Sequence, residues 1–407
     1  MTAVGASAKR DPTADAAPDQ THDPSPDPGA IGAPRLHLRL IATSDLHASL
    51  LPYDYCADKP AAGVGLGGVA LQIARARAEV PDSLLLDNGD FLQGSPMADF
   101  VASSGRRRRD HPVITAFNTL GYDAVTLGNH EFDYGIGFLE KALAQARFPV
   151  VSANVATRLG PLPVQDQTLV PPYAILQRRL VDQFGVPHGL RIGVIGFAPP
   201  MGEMSDPDQV RVRDIMEAAR AWLPRLRAAG VDVIIALAHS GIGSGNVQPG
   251  MEHASAALAA LPEIDAVIAG HSHQIFPAPG TQAQPGIDPE RGLLAGKPAV
   301  MPGHSGSHVG IIDLHLERAQ AGDRRWRIVA TRSRLTPQAA SADRPQAPDL
   351  RSAIAPDHRA TLAWSRRVLG ETRVPLTSHF ATVAPNAALA LIAEAKLAHV
   401  RRRLAGT

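Results

Sequence analysis

Apolar residues in this chain gather in short runs, and each run stops at a small or polar residue. In "LHLRLIATSDLH" (36–47), Leu36, Leu38 and Leu40 alternate with polar positions before Ile41, and the run closes on Asp45 and His47. The pattern returns in "SLLLDNGD" (83–90), "DAVTLGNHE" (123–131), "FPVVSANV" (148–155), "LRIGVIGFA" (190–198), "VDVIIALAHS" (231–240) and "IDAVIAGHSH" (264–273). Between these runs lie segments with helical spacing: "GGVALQIARARAEV", "HPVITAFNTL", "IGFLEKALAQAR", "DIMEAARAWLPRLRAAG" and "ASAALAAL". Strands that alternate with helices predict an α/β domain whose strands are buried on both faces. Ligands in such sheets bind beyond the carboxyl ends of the strands, where the polar residues fall.

The remaining segments have a different character. Residues 1–35 are rich in Pro, Asp and Ala and read as a disordered N-terminal segment. They contain no apolar h-region, so the chain as it starts predicts a cytoplasmic protein or one whose export signal is not in this sequence. The "RRRR" at 106–109 reads as a solvated loop. Residues 336–372 read as a Pro/Ala-rich linker, then one or two helical turns and a longer connecting helix. The segment "APNAALALIAEAKLAHVRRRLAGT" predicts an amphipathic helix, Ala384 to Leu404, with an apolar stripe of Leu389, Ile392, Leu397 and Val400.

Composition narrows the chemistry. Of 407 residues, 44% are hydrophobic and 19% charged, enough apolar content for a real core, and the net charge of +1 argues against a nucleic-acid polymer as partner. No run reaches the ~18 apolar residues of a membrane span. The single cysteine, Cys56, excludes an intrachain disulfide and a thiolate metal cluster. Sixteen histidines remain, several beside acids or glycines.

The residues that close the strands are Asp45, His47, Asp90, Asn129, His130, His239, His271 and His273. Packed sheets bring such positions to one rim. Asp and His without thiolates suit borderline divalent cations such as zinc, manganese, cobalt or iron. Two such ions need a bridging anion, and a lone acid such as Asp90 would serve. Any one of these histidines alone carries little weight; four motifs in order, each ending an apolar strand, carry a good deal.

That order resembles the calcineurin-like metallophosphoesterases, within them the bacterial 5′-nucleotidase group, and most closely the 2′,3′-cyclic-nucleotide 2′-phosphodiesterase/3′-nucleotidases. The resemblance lies in "TSDLH", "PYDY", "LLLDNGDFLQGSPMADF", "YDAVTLGNHEFDYG", "ALAHSGI", "IDAVIAGHSHQIFP" and "GKPAVMPGHSGSHVGIIDL". It implies a four-layer α/β/β/α sandwich of two mixed β-sheets flanked by helices, spanning 36–335. It implies hydrolysis of 2′,3′-cyclic nucleotides and 3′-nucleotides, with a 5′-nucleotidase or sugar-nucleotide hydrolase as the alternative. A folded fragment that binds metal but acts only with a second polypeptide is the third reading. By position, Asp45, His47 and His273 would hold one metal, Asn129, His239 and His271 a second, and Asp90 would bridge them. His130 would stand near the leaving oxygen with Asp133 orienting its imidazole. The resemblance also implies a periplasmic location. Residues 373–407 read as the start of a C-terminal nucleotidase domain, whose remainder or a second polypeptide is the expected partner.

Several residues are expected to do nothing chemical. Glu131 is assigned to local hydrogen bonding or solvent, His111 to capping a helix start, and Gln93 and Ser95 to shaping the loop around Asp90. His188 and His253 are assigned to surface loops, and His315 to the outward face of an edge strand. Relatives in this group tend to carry a tyrosine where Cys56 stands.

Overall fold

The computed structural model describes residues 32–104, 110–200, 209–320, 325–338 and 347–405; nearly all of the N-terminal segment and the "RRRR" stretch lie outside them. In chain order the principal strands are β1 (Arg35–Thr43), β2 (Ser83–Asp87), β3 (Ala124–Thr126), β4 (Val150–Val151), β5 (Tyr173–Val181), β6 (Pro187–Phe197), β7 (Val233–Ala238), β8 (Ala266–Ala269), β9 (Lys297–Pro302), β10 (His308–Arg318) and β11 (Trp326–Pro337). The helices are α1 (Leu66–Glu79), α2 (Pro96–Ser103), α3 (Pro112–Leu120), α4 (Ile136–Leu143), α5 (Ile215–Ala228), α6 (Ser255–Ala259), α7 (Pro348–Ser365) and α8 (Ala387–Ala405).

Two sheets result. The first runs β11-β10-β1-β2-β3-β4 and the second continues from β9 through β8, β7 and β6 to β5. Strands β1 to β4 are parallel, as are β6 to β9, and antiparallel strands β10, β11 and β5 complete the sheets. Side-chain alternation then builds three cores. Leu36, Leu38, Leu40 and Ala42 of β1 face inward and meet Ile192, Val194, Ile235 and Ile268 of the second sheet. Ile41, Leu85 and Val125 face outward under α1 to α4 and α7. Ile195, Phe197, Ile234 and Val267 face the other way under α5 and α6. The layers are therefore α/β/β/α, as the resemblance implies.

The two sheets approach each other closely near their carboxyl ends. A Cβ on Gly196 would lie 2.2 Å from the Val151 carbonyl oxygen and 2.3 Å from Thr126 Oγ1, so only glycine admits this approach. Asn88, just after β2, donates to the Ala238 carbonyl at the end of β7 across the same seam.

Three expectations need correction. His315 does point outward, but β10 is an interior strand, covered at its outer side by β11. His188 lies in β6 with its ring 2.8 Å from Asp182, because the β5–β6 hairpin extends farther than its polar sequence suggests. The segment 348–365 is one helix despite Pro356 in its interior. Proline there removes one backbone hydrogen bond, and the buried side of α7, with Leu350, Ile354, Asp357 and Thr361, holds the helix together. Helix α8 buries none of its residues, and Leu389, Ile392, Leu397 and Val400 are each about half exposed.

The outward face of the first sheet carries one buried ion pair. Arg39 on β1 stands opposite Asp313 on β10 and donates from Nε (2.7 Å) and Nη2 (3.1 Å) to its two oxygens. Its Nη1 reaches the Ala76 carbonyl and Glu79 on α1, which ties the helix end to the sheet. Burial alone would raise the Asp313 pKa, but hydrogen bonds from His37 and Arg39 hold it well below the usual carboxylate range. Asp313→Asn should therefore lower stability by about 3 kcal/mol at pH 7, because it leaves Arg39 buried and underpaired. A depressed folded pKa gives stability that is complete above the unfolded value of about 3.9 and is lost as pH falls through the folded one. Urea unfolding of both proteins should thus show a gap that is constant from pH 7 to pH 5 and narrows below pH 4.

Candidate metal centre

Each predicted site residue lies just past a strand of the parallel cores, in a loop at the carboxyl rim. Asp45 and His47 follow β1, Asp90 follows β2, Asn129, His130 and Asp133 follow β3, His239 follows β7, and His271 and His273 follow β8. The structure gathers six of them into two neighbouring groups, Asp45–His47–His273 and Asp90–His239–His271, with the potential ligand atoms of each group within 4.8 Å of one another. The groups adjoin, since Asp45 Oδ1 lies 3.6 Å from His273 Nε2 and 3.8 Å from His239 Nε2. Asp45, Asp90 and His239 are wholly buried, and His273 lies open to solvent.

The hydrogen bonds test whether this site suits cations. His239 Nδ1 lies 2.7 Å from the Asn88 carbonyl oxygen and must donate to it, which leaves Nε2 to face the carboxylates. Nε2 stands 2.9 Å from Asp90 Oδ2, so a positive charge, a proton or a cation, has to lie between them. His47 Nδ1 likewise donates to the Gln93 carbonyl, which leaves its Nε2 as an acceptor 2.9 Å from His273 Nε2. Asn129 Oδ1 is buried with no donor. Two buried carboxylates with imidazole nitrogens turned toward them make the site favourable for positive charge. The field acts on protons in the same sense. Burial opposes charge on His239, but the pull of Asp90 and Asp45 outweighs it and pushes the pKa up to about 10. Burial likewise opposes ionisation of Asp90, yet His239, His47 and His130 keep its carboxylate well below the usual range. Carboxylate, amide and imidazole donors without thiolates fit two borderline divalent ions.

The loops reach this geometry through strained backbone. Of the seven candidate ligands, Asp45, His47, Asp90, His271 and His273 have φ between 49° and 68°. Left-handed conformations in non-glycine residues each cost about 1–3 kcal/mol and persist where surroundings enforce them. Here the enforcement is visible. The loop amides of Asp45, His47 and Ala48 donate to carbonyls of Gly89, Asp90 and Phe91, and His271 N donates to the Asp45 carboxylate. Two glycines form the floor. A Cβ on Gly128 would sit 2.2 Å from Asp90 Oδ1 and 2.7 Å from His239 Nε2, and one on Gly270 would strike Ser44 Oγ and Asp45 Oδ2.

His130 stands beside this cluster, its ring 5.4 Å from that of His47. Asp133 Oδ2 accepts from its Nδ1 at 2.8 Å. Burial lowers the His130 pKa, and the Asp133 hydrogen bond with the Asp90 charge more than reverses this, so the net shift is upward.

Sequence reasoning underrated Glu131. It is completely buried and accepts from four backbone amides, those of Gly128, Asp90, Phe91 and Leu92, at 2.6–3.1 Å. One carboxylate thereby binds the loop after β2 to the loop after β3; its only sequence signal is an acid next to the core residue Phe132. Glu252 and His304 were also missed. Glu252 contacts His271, and the exposed His304 ring stacks on His273 with centroids 4.7 Å apart. His111 caps α3 as expected, accepting from Val113 N, and Ser95 caps α2. His253 is exposed, with its ring 6.1 Å from that of His271.

Two substitutions follow from this scaffold. Glu131→Ala strands four buried amides and should destabilise the protein by at least about 3 kcal/mol in chemical denaturation. Gly128→Ala should keep the far-ultraviolet circular dichroism spectrum while lowering bound metal, measured by elemental analysis, below one ion per chain.

The chain is similar to known proteins. Residues 38–275 match the family model for calcineurin-like phosphoesterases. The chain is 35% identical over 385 residues to the trifunctional nucleotide phosphoesterase YfkN of Bacillus subtilis, covering 92% of this chain and 26% of that protein. It is 35% identical over 387 residues to the 2′,3′-cyclic-nucleotide 2′-phosphodiesterase/3′-nucleotidase of Salmonella typhimurium, covering 93% of this chain and 58% of that one. The crystal structure of YfkN superposes with a TM-score of 0.76 at 36% identity, over 82% of this chain and all of the other. This chain thus spans little more than half of the Salmonella relative and about a quarter of the Bacillus one. With the family match extending across both ligand groups of the carboxyl rim, the chain belongs to the calcineurin-like phosphoesterase family.

Proposed function

We propose that this chain hydrolyses nucleotide phosphoesters, 2′,3′-cyclic nucleotides and 3′-nucleotides, at the carboxyl rim of its two sheets. The observation that carries the reading is the gathering of Asp45, His47 and His273, and of Asp90, His239 and His271, into two adjoining groups whose potential ligand atoms lie within 4.8 Å of one another. In this proposal Asp45, His47 and His273 hold one divalent ion, Asn129, His239 and His271 hold another, and Asp90 serves both. The chemistry such ions supply when bound is Lewis acidity toward water and phosphoryl oxygens.

The protein's own residues do the rest. The loops after β1, β2, β3, β7 and β8 fix the phosphate relative to His130. Asp133 accepts from Nδ1 of His130, which fixes the ring's orientation and leaves Nε2 for the substrate. As a water oxygen bonds to phosphorus and the P–O bond to the leaving group breaks, the proton on Nε2 passes to the departing oxygen, the 2′ oxygen of a cyclic ester. Asp133 keeps the imidazole charged until that transfer. Chain identity over nearly its whole length with a cyclic phosphodiesterase/3′-nucleotidase supports the substrate class. A nucleotide is the small-molecule partner, and among the described residues no helix is long and apolar enough to cross a membrane.

With manganese or zinc added, the chain should hydrolyse bis-p-nitrophenyl phosphate, 2′,3′-cyclic AMP and 3′-AMP, and Asp90→Ala or a chelator should abolish all three activities. Preference for 5′-AMP over the cyclic ester would reassign the substrate to the 5′-nucleotidase class. His130→Ala should retain two ions per chain while kcat falls by about 10²–10⁴; loss of metal from that variant would overturn the role given to His130.

A further inference from the structure

Every imidazole proposed here as a ligand must use one ring nitrogen for the ion and fix the other, and the structure shows how three of them do so. His239 and His47 donate from Nδ1 to main-chain carbonyls, those of Asn88 and Gln93, and so present Nε2. His271 is different. Its Nε2 lies 2.6 Å from Glu252 Oε1, a side-chain carboxylate. A nitrogen that donates to a carboxylate cannot also give its lone pair to a cation, so the nitrogen left for the group containing Asp90 and His239 is Nδ1.

We propose that Glu252 is the positioning residue for His271, selecting its tautomer and aiming its ring; the inference rests on the two-ion reading above. Outer partners of this kind are a general requirement of metal-bound imidazoles. The placement of Glu252 is not accidental to the fold. Its carbonyl oxygen accepts from Ser240 Oγ at 2.6 Å, and Ser240 Oγ in turn accepts from Ala254 N at 2.7 Å. Ser240 directly follows His239, so the segment carrying Glu252 is fastened to the loop of a second ligand in the same group. The backbone is anchored while the Glu252 side chain is 59% exposed. Glu252 can therefore be replaced without opening a cavity. It is also the one among these three partners that mutagenesis can remove, since the other two are main-chain atoms.

The test is calorimetric titration of Mn²⁺ into the chelator-stripped full chain, with E252A and E252Q beside the wild type. The wild type should take up two equivalents. In E252A one equivalent should bind about 10–100-fold more weakly, and the other, at Asp45–His47–His273, should change less than twofold. E252Q, which keeps an oxygen acceptor but no charge, should fall between the two proteins. All three should unfold at the same urea midpoint. Two equivalents in E252A as tight as in the wild type would overturn the proposal, and so would equal weakening of both, which would mean a general distortion of the rim. A wild-type chain that binds fewer than two equivalents would overturn the two-ion reading and this inference with it.

Discussion

Everything at the carboxyl rim depends on holding unlike loops of two separate sheets within hydrogen-bonding distance of one another. The inter-sheet core supplies the force, as alternating leucines of β1 lock against valines and isoleucines of β6, β7 and β8. Direction comes from a few contacts at the seam. Gly196 permits backbone-to-backbone approach, Asn88 reaches across to Ala238, and Ala153 N donates to the Gly196 carbonyl. Hydrophobic burial is non-directional, so it can bring the sheets together but cannot set their register. The polar seam does that, and the ligand residues lie directly beyond it.

The chemistry concentrated there is unfavourable by itself. Buried acids face buried acceptors, and five residues sit in backbone conformations that side chains normally avoid. Such a cluster survives because neighbouring groups over-determine it. Glu131 is the clearest instance: a single carboxylate satisfies amides from two loops, and its charge lies close to that of Asp90. Its own ionisation reflects the tension, since burial and the Asp90 charge push its pKa up to about 7 against the pull of its four amide donors. Like charge has been collected at one place, where a cation would offset it.

Much of this was legible in the sequence. Strands that end in Asp, Asn or His announce a polar rim because the apolar run fixes where the strand stops, and all the candidate ligand positions fall at such stops. Helices with clear spacing, α1, α3, α5 and α6, form where periodicity puts them. Other features were not legible for physical reasons. β10 lies inside its sheet because it pairs with β1, far back along the chain, on one side and with β11 on the other, and the alternation within β10 itself names neither partner. Pro356 looks like a helix terminator until the packing of Leu350 and Ile354 is known. Glu131 and Glu252 look like ordinary surface acids because their importance lies in what they accept from, and those donors are backbone amides or a ring in another loop.

The left-handed loops have a consequence for metal exchange. Their conformations are fastened by amide–carbonyl bonds and by Glu131, all of them independent of any ion. The candidate ligands are consequently in place once the chain folds, and little conformational freedom would remain to be surrendered on binding a cation. A rim of that kind discriminates among cations by their electronic preference for imidazole and carboxylate. It has little capacity to reshape itself around whichever ion is abundant.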